Sequence, residues 1–267
     1  MFGAQETLLP SHLHLDLKVV FQDDRAFLHY DDTAVGGVAP VYAYEITDLK
    51  LRVKTYQMSE AQFRAFNNEW KRRPMTIDFD QINLVTHQLG TLKSYFEIAN
   101  VWASTPDKPK TMYFALQTLA RTLGRPSLQQ IKFERHHLKK LEIFRNGTLA
   151  RTIDLSAASR GPNIHAYASF MRSLGFNSKF SDYVPGITYD AWRNRFFILP
   201  CDFLACLCSN SELHTAGGLD VQLALTFEQN VGENLTLFAF AVSKRCLIID
   251  HLGRMEVRSA TEDATPV

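Results

Sequence analysis

Alternation of apolar and polar residues in the C-terminal third constrains the fold of this chain more than any other feature. Residues 219–227 place an apolar side chain at every second position, and most of the residues between are polar. This period of two is typical of a strand with one buried face. Residues 235–242 (LTLFAFAV) are apolar on nearly both faces, which indicates a strand between a core and a covering layer. We predict these two strands, a polar turn between them, and then a third short apolar strand and a last hairpin within 243–258.

Two more alternating segments lie near the N-terminus, and together the strands predict an antiparallel β-sandwich, an all-β fold. Residues 13–21 alternate as cleanly as the C-terminal strand, and residues 45–54 place Leu49, Leu51 and Val53 on one face. Between them lie two Asp-Asp pairs, a Gly-Gly pair and Pro40, which predict a domain boundary near residue 38.

Two helices are predicted in the connections. Ser59 and Gln62 form a capping box, aromatic residues follow at helical spacing, and Pro74 ends the pattern, so we predict a helix over 60–73. Its last turn, Lys71 to Arg73, would complement the helix dipole, with a phosphate-binding patch as the alternative. A second helix is predicted over 163–174. Its expected apolar face is Ile164, Tyr167, Ala168, Met171 and Leu174.

Two shorter segments need a choice between structures. Residues 111–124 have leucines at helical spacing, whereas a sandwich needs a strand there; we favour a strand near 112–116, after a turn at Lys108-Pro109. Asn146-Gly147 lies between two apolar segments and predicts a hairpin turn.

The order of segments from residue 194 to residue 257 resembles the C-terminal part of the hexon-like major capsid proteins of Polinton/Maverick elements and adintoviruses. The segments are RFFILPCDFLACL, GGLDVQLALTF and ENLTLFAFAVSKRCLIIDHLGRMEV. Upstream, LLPSHLHLDLKVVFQDDRAFLHY resembles the end of that family's first jelly roll. VYAYEITDLKLRVKTYQMS and IKFERHHLKKLEIFRNGT resemble the start and the middle of the second. The resemblance covers most of residues 8–258 and departs from the family's pattern at Ile248, around Pro126 and at 202–205.

The resemblance implies a division of the chain and a role. Residues 1–38 would be a remnant of the end of a first jelly roll, 39–258 a second jelly-roll domain with a few short helices in its loops, and 259–267 a flexible tail. The implied function is structural: self-assembly into trimeric capsomers together with other capsid proteins, in a virion capsid, by a truncated gene product of an endogenous element. It implies no enzyme activity and no catalytic, cofactor or metal residues.

Composition agrees with a cohesive globular protein. Apolar residues make up 46% of the chain, which is enough for a buried core. The net charge is only +1, so the overall charge of the protein gives no reason to expect non-specific nucleic-acid binding. No apolar stretch is long enough to span a membrane and the N-terminus does not read as a signal peptide, so an intracellular protein, in nucleus or cytoplasm, is expected. Four clustered cysteines are not a secreted disulfide framework, and the sequons at Asn146 and Asn234 are expected to be unused.

The cysteine and histidine residues that could bind a metal ion do not have the arrangement that a metal site needs. Cys201, Cys206, Cys208 and His214 lack the spacing of a zinc finger, so apolar packing is preferred. His136-His137 lies in a strand-like stretch, which would point the two rings to opposite faces, one packed and one solvated.

Other reactive patterns are absent or have simpler explanations. There is no G-x-S-x-G motif, and the glycine pairs 36–37 and 217–218 are interpreted as turns. The pairs Asp23-Asp24 and Asp31-Asp32 are interpreted as solvated carboxylates and not as a calcium site. The three tryptophans are expected in the core and not in a sugar-stacking platform.

Two other functions share the predicted fold. A jelly roll could serve as a binding module for carbohydrate or protein, with exposed aromatics on a concave face. A cupin-like metalloenzyme would need clustered histidine and carboxylate ligands, and His12-x-His14 is the one H-x-H segment on which to build it.

Overall fold

The computed structural model describes residues 45, 47, 48, 50, 57–102, 109–123, 131–156, 163–174, 186–203 and 220–259. Nine strands and four helices lie in these ranges. The strands are β1 (Met75–Leu89), β2 (Tyr95–Trp102), β3 (Thr111–Thr118), β4 (Leu138–Arg145), β5 (Thr148–Asp154), β6 (Ile198–Asp202), β7 (Val221–Phe227), β8 (Leu235–Ile249) and β9 (Met255–Ser259). The helices are α1 (Glu60–Arg72), α2 (Leu119–Thr122), α3 (Ile164–Ser173) and α4 (Tyr189–Arg195).

The first eight strands form two four-stranded layers with the order of a jelly roll. One sheet has the order β1-β8-β3-β6 and the other has the order β2-β7-β4-β5, while β9 pairs with β8. The pairs whose registers are defined, among them β2 with β7 and β3 with β8, are antiparallel. Strands that follow each other along the chain mostly alternate between sheets, as two interlocked Greek keys require. The predicted fold class, an antiparallel jelly-roll sandwich with short helices in its loops, is confirmed.

The chain divides into two compact units, residues 1–81 with 244–267, and residues 82–243. In the second unit the inner faces of both sheets form one apolar core, since alternate residues of β7 and β3 are buried there together with residues of β2, β4, β6 and β8. Val221, Leu223, Leu225 and Phe227 of β7 are the predicted inward-facing residues, and all four are buried. Leu219 lies outside the described residues.

The first unit contains α1 and a small core of its own. The predicted capping box is present: Gln62 N donates to Ser59 Oγ at 3.3 Å, and Ser59 N donates to Gln62 Oε1 at 3.0 Å. Trp70 is buried against Ile77 and Ile249, and its indole Nε1 donates to Ile249 O at 3.1 Å. The predicted helix is confirmed, and Arg73 follows it as the C-cap.

Strand β8 is longer than predicted. It runs without a break to Ile249, so the expected separate strand after residue 242 is wrong. Extension is favoured because Leu247 and Ile249 pack against the Trp70 cluster, and residues 245–249 pair with β9. The predicted last hairpin is confirmed as β8 and β9. Its turn is closed by Asp250 Oδ1, which accepts the backbone N–H groups of Leu252 and Arg254 at 2.9 and 2.8 Å.

Residues 111–118 form a strand, as we favoured over a helix. Every residue of β3 except Tyr113 is buried, because the strand lies between β8 and β6. The leucines at helical spacing belong partly to this strand and partly to the short helix α2 that follows it. Burial between two neighbouring strands thus overrides the local helical pattern.

Two other predictions need correction. Glu45, Thr47, Asp48 and Lys50 are exposed and not in a strand, so the predicted strand over 45–54 is wrong at these positions; its other residues lie outside the described ranges. A segment with alternating apolar residues forms a strand only where a neighbouring strand of a sheet pairs with it. Helix α3 is confirmed and Met171 of its predicted face is buried, whereas Ile164, Ala168 and Leu174 of that face are exposed. Phe170, which was not part of the predicted face, is also buried, because its ring packs 6.5 Å from that of Trp192.

Some predictions fall on residues that the structure does not describe. The strand over 13–21 and the Asp-Asp pairs are among them, and the domain boundary near residue 38 stays a prediction. Strands β1 and β2 and helices α2 and α4 were not predicted from the sequence, and a loop was expected where α2 lies.

The Asn146-Gly147 turn is confirmed and provides a test of backbone conformation. Both residues are left-handed, with φ of 49° and 76°, and they join β4 to β5. A Cβ added at Gly147 would meet no atom within 4 Å, so Gly147→Ala isolates the conformational cost. We expect it to lower the free energy of unfolding by about 1 kcal/mol in urea titrations. Gly90→Ala is the matched control, since its added Cβ is equally free and its φ is not left-handed; equal losses at both sites would contradict this account.

Candidate interface on one sheet face

Strand β8 is apolar on the face that points away from the core. Leu237, Ala239 and Ala241 are buried in the core between the sheets. Successive side chains of a strand alternate, so Phe238, Phe240 and Val242 lie on the opposite side. All three are partly buried. This confirms the prediction that the strand lies between a core and a covering layer.

The neighbouring strands extend this apolar surface. On β3, Tyr113 lies opposite Phe240 and Ala115 lies opposite Phe238. On β1, Val85 and Leu89 pack against the core, which leaves the alternating positions Ile82 and Leu84 on the outer side. We call the set Ile82, Leu84, Tyr113, Ala115, Phe238, Phe240 and Val242 the apolar outer face.

A short segment and a helix cover part of the apolar outer face. The Phe133 ring meets Phe238 and Phe240 edge-on, with centroids 5.7 and 6.5 Å away, while those two rings stack at 6.2 Å. Phe133 N donates to Arg195 O at 2.8 Å, which holds the segment to the end of α4. Helix α3 covers the other end, where Tyr113 Oη donates to Ser173 O at 3.3 Å.

The β1 side of the face stays open. Ile82 is 59% exposed and Leu84 is 52% exposed, and Ile131, next to the covering segment, is 67% exposed. Ile82 and Leu84 occupy neighbouring outward positions of β1, flanked by the polar Asp80 and Thr86, and they form a candidate contact surface.

The outer face of the second sheet is mostly polar, with Phe144 and Leu149 as apolar residues on it. The register places Tyr95, Thr226, Lys140 and Asp154 in one row across its four strands, and Glu97, Ala224, Glu142 and Thr152 in the next. Lys140 Nζ lies 2.6 Å from Glu142 Oε1, and Tyr95 Oη donates to Glu97 Oε1 at 2.5 Å.

Two pKa shifts on this face follow from local hydrogen bonds. The bond to the Glu97 carboxylate raises the pKa of the Tyr95 hydroxyl. Asp154 has a lowered pKa because its carboxylate accepts the backbone N–H of Ser156 at 2.8 Å. The polar groups of this surface are those of a solvated face, and it is more polar than the apolar outer face that β8 and β3 form on the other sheet.

The predicted packing of Cys201 is confirmed. Its thiol is buried, and burial raises its pKa to about 11, so it is a neutral core group. Cys206, Cys208 and His214 lie outside the described residues, as do His12-x-His14 and the glycine pairs. In the ranges that the structure describes, no group of three or more histidine, cysteine and carboxylate side chains could hold a metal ion.

His136 and His137 form a turn and not the predicted strand. Both are left-handed, with φ of 48° and 60°, and Leu138 N donates to Arg135 O at 2.9 Å. The sequence offers no glycine or asparagine there to signal such a turn. The expected difference in exposure is confirmed, since the His136 side chain is 13% exposed and that of His137 is 63% exposed.

All three tryptophans are buried, as predicted, so they do not form a sugar-stacking platform. Trp192 is fully buried and lies 4.8 Å from Phe197, with Tyr167 and Tyr189 at 5.6 and 6.0 Å. Its Nε1 donates to Ile198 O at 3.2 Å, which ties α4 to the start of β6. Among the described helices, none has the length and apolar character needed to cross a bilayer.

The fold and this surface together define an eight-stranded jelly-roll sandwich with one apolar outer face that is partly open. Comparison with solved structures finds similarity to the mavirus major capsid protein, at 10% identity and a TM-score of 0.42 over 70% of this chain and 42% of that chain. The chain is also similar to the Sputnik virophage structure determined by cryo-EM, at 14% identity and a TM-score of 0.43, over 72% of this chain and 40% of that one.

A third similarity is to a quasi-atomic description of the PBCV-1 virus capsid, at 11% identity and a TM-score of 0.35 over 68% and 51% of the two chains. The chain therefore spans about two fifths to one half of these proteins. No protein-family model and no curated protein matches it. The fold assignment rests on the order of the strands in the chain itself.

Phe133 tests whether the apolar outer face needs its cover. We expect Phe133→Ala to lower the free energy of unfolding by about 1–3 kcal/mol, because the edge-on ring contacts are lost. It should also increase binding of the dye ANS, because Phe238 and Phe240 become exposed. Phe144→Ala is the control, since Phe144 is also partly buried but lies opposite Gln222 on the outer face of the second sheet. An equal rise in dye binding in this variant would contradict the claim that Phe133 covers the apolar outer face.

Proposed function

We propose that this protein is a capsid-type structural subunit that works by self-assembly through the apolar outer face. The more specific proposal is a hexon-like jelly roll of an endogenous Polinton/adintovirus-type element. It rests on the order of sequence segments described above. The role requires cohesion between subunits and no catalysis.

One observation carries the proposal, namely the contrast between the two outer faces of the sandwich. Sheets that are apolar on both sides are ordinarily covered on both sides. Here Phe133 and α3 cover part of the outer side, while Ile82 and Leu84 remain in contact with solvent. Covering these two side chains with another subunit would remove their apolar area from water, which favours association.

A trimer is the form of assembly that we propose. A closed three-fold ring uses heterologous contacts, in which one patch meets a different patch on the next copy. The open β1 side of the face would be one such patch. Other capsid proteins would be further partners, and the place of action would be a virion capsid or the interior of the cell in which it assembles.

Leu84→Glu tests the role of the face in assembly. A carboxylate at the centre of an apolar contact would be desolvated without a partner, so we expect self-association to weaken by at least about tenfold. Sedimentation velocity of the full chain over a wide range of concentrations measures this effect, and the wild-type protein should form trimers.

The matched control is Thr152→Glu, which places the same charge at an exposed strand position on the polar outer face. It should associate like the wild-type protein. The proposal is wrong if the wild-type chain stays monomeric at every concentration, or if both variants weaken association equally.

A further inference from the structure

The turn between Arg135 and Leu138 places two consecutive residues other than glycine in the left-handed conformation. His136 and His137 both have positive φ, which is uncommon for any residue other than glycine, and here two such residues follow each other. The turn at the other end of β4 has the same left-handed pair of residues but is made of Asn146 and Gly147, the preferred types. Surrounding contacts therefore hold the histidine turn in place.

His136 is enclosed by charged groups from three elements. Its buried Nε2 atom has no hydrogen-bond partner among the described residues, and its Nδ1 lies 3.8 Å from Glu233 Oε1 in the connection between β7 and β8. The other charged or titratable groups that face it are Arg121 of α2 and, on its own segment, Lys132, Glu134 and His137. Glu134 is already engaged, since its Oε1 lies 2.6 Å from Lys132 Nζ.

The turn is also tied to the same connection through its other residues. Glu228 N donates to His137 O at 2.9 Å, and the Glu228 carboxylate pairs with Arg135. The connection, residues 228–234, leads directly into β8, which carries Phe238 and Phe240. A change in the conformation of the turn would therefore alter the connection that leads into β8, the strand of the apolar outer face.

We propose that the Arg135–Leu138 turn is an acid-sensitive latch, in which protonation of His136 opens the turn and releases the connection between β7 and β8. The latch is a property of the single chain and does not depend on the proposed assembly.

The direction of the effect follows from burial. In the closed turn, burial lowers the pKa of His136 below its ordinary value of 6.5, so the neutral form is the one that fits. Once the turn opens, the ring is solvated and its ordinary pKa returns. Below pH 6.5 the open form thus binds more protons than the closed form, and falling pH favours opening. At pH 5.5 the gain is up to about tenfold in the opening equilibrium, while exposed glutamates remain mostly charged.

Hydrogen–deuterium exchange of the full chain at pH 7.5 and pH 5.5, corrected for intrinsic exchange rates, tests the latch. In the wild-type protein we expect protection of residues 131–138 and 228–234 to fall by up to about tenfold at the lower pH. His136→Asn should abolish this response, because asparagine keeps the left-handed preference and cannot be protonated. His137→Asn is the control on the exposed side of the turn and should respond like the wild-type protein.

Three results would overturn the proposal: a wild-type response that persists in His136→Asn, a response located instead in β1 around the partly buried His87, or equal protection at both pH values. Should His136→Asn fail to fold, NMR titration of the wild-type histidine rings replaces it. His136 must then titrate below pH 6.5 together with the amide signals of residues 228–234, and independent titration would equally refute the latch.

Discussion

The two-sided apolar character of β8 is the constraint on which the rest of the structure depends. Leu237, Ala239 and Ala241 fill the core between the sheets, so the alternating phenylalanines must face outward. Exposing these apolar rings to water is unfavourable, and Phe133 and α3 cover part of them as a partial third layer. The bridge between Phe133 and Phe196 and the aromatic packing around Trp192 position this layer.

The sandwich thereby acquires two different surfaces from one topology. The outer face of β2-β7-β4-β5 carries ion pairs and hydrogen-bonded side chains, which are readily solvated. The apolar outer face of the other sheet is aromatic and aliphatic on β8 and β3, and its two β1 residues, Ile82 and Leu84, are exposed. Under the proposed function, the apolar outer face would be the side that contacts other copies, and such a contact would need only complementary shape and apolar area.

Alternation in the sequence predicted β7, β8 and the sandwich, and capping and turn residues predicted α1 and the β4–β5 hairpin. Strand β1 was missed because its pattern is inverted in residues 82–88: Asn83 and His87 take the inward side, while Ile82 and Leu84 point outward. The open part of the candidate interface therefore could not be located from hydrophobicity alone. Phe133 and the His136-His137 turn were missed for a related reason, since tertiary contacts and not local propensity determine their conformations.

The most direct test of the account is hydroxyl-radical footprinting of the wild-type chain in dilute and concentrated solution. The account predicts that oxidation of Ile82 and Leu84 falls as the concentration rises, while oxidation of Tyr95 on the polar outer face stays constant. Protection of Tyr95 with no change at Ile82 and Leu84 would contradict the claim that the apolar outer face is the surface through which this protein assembles.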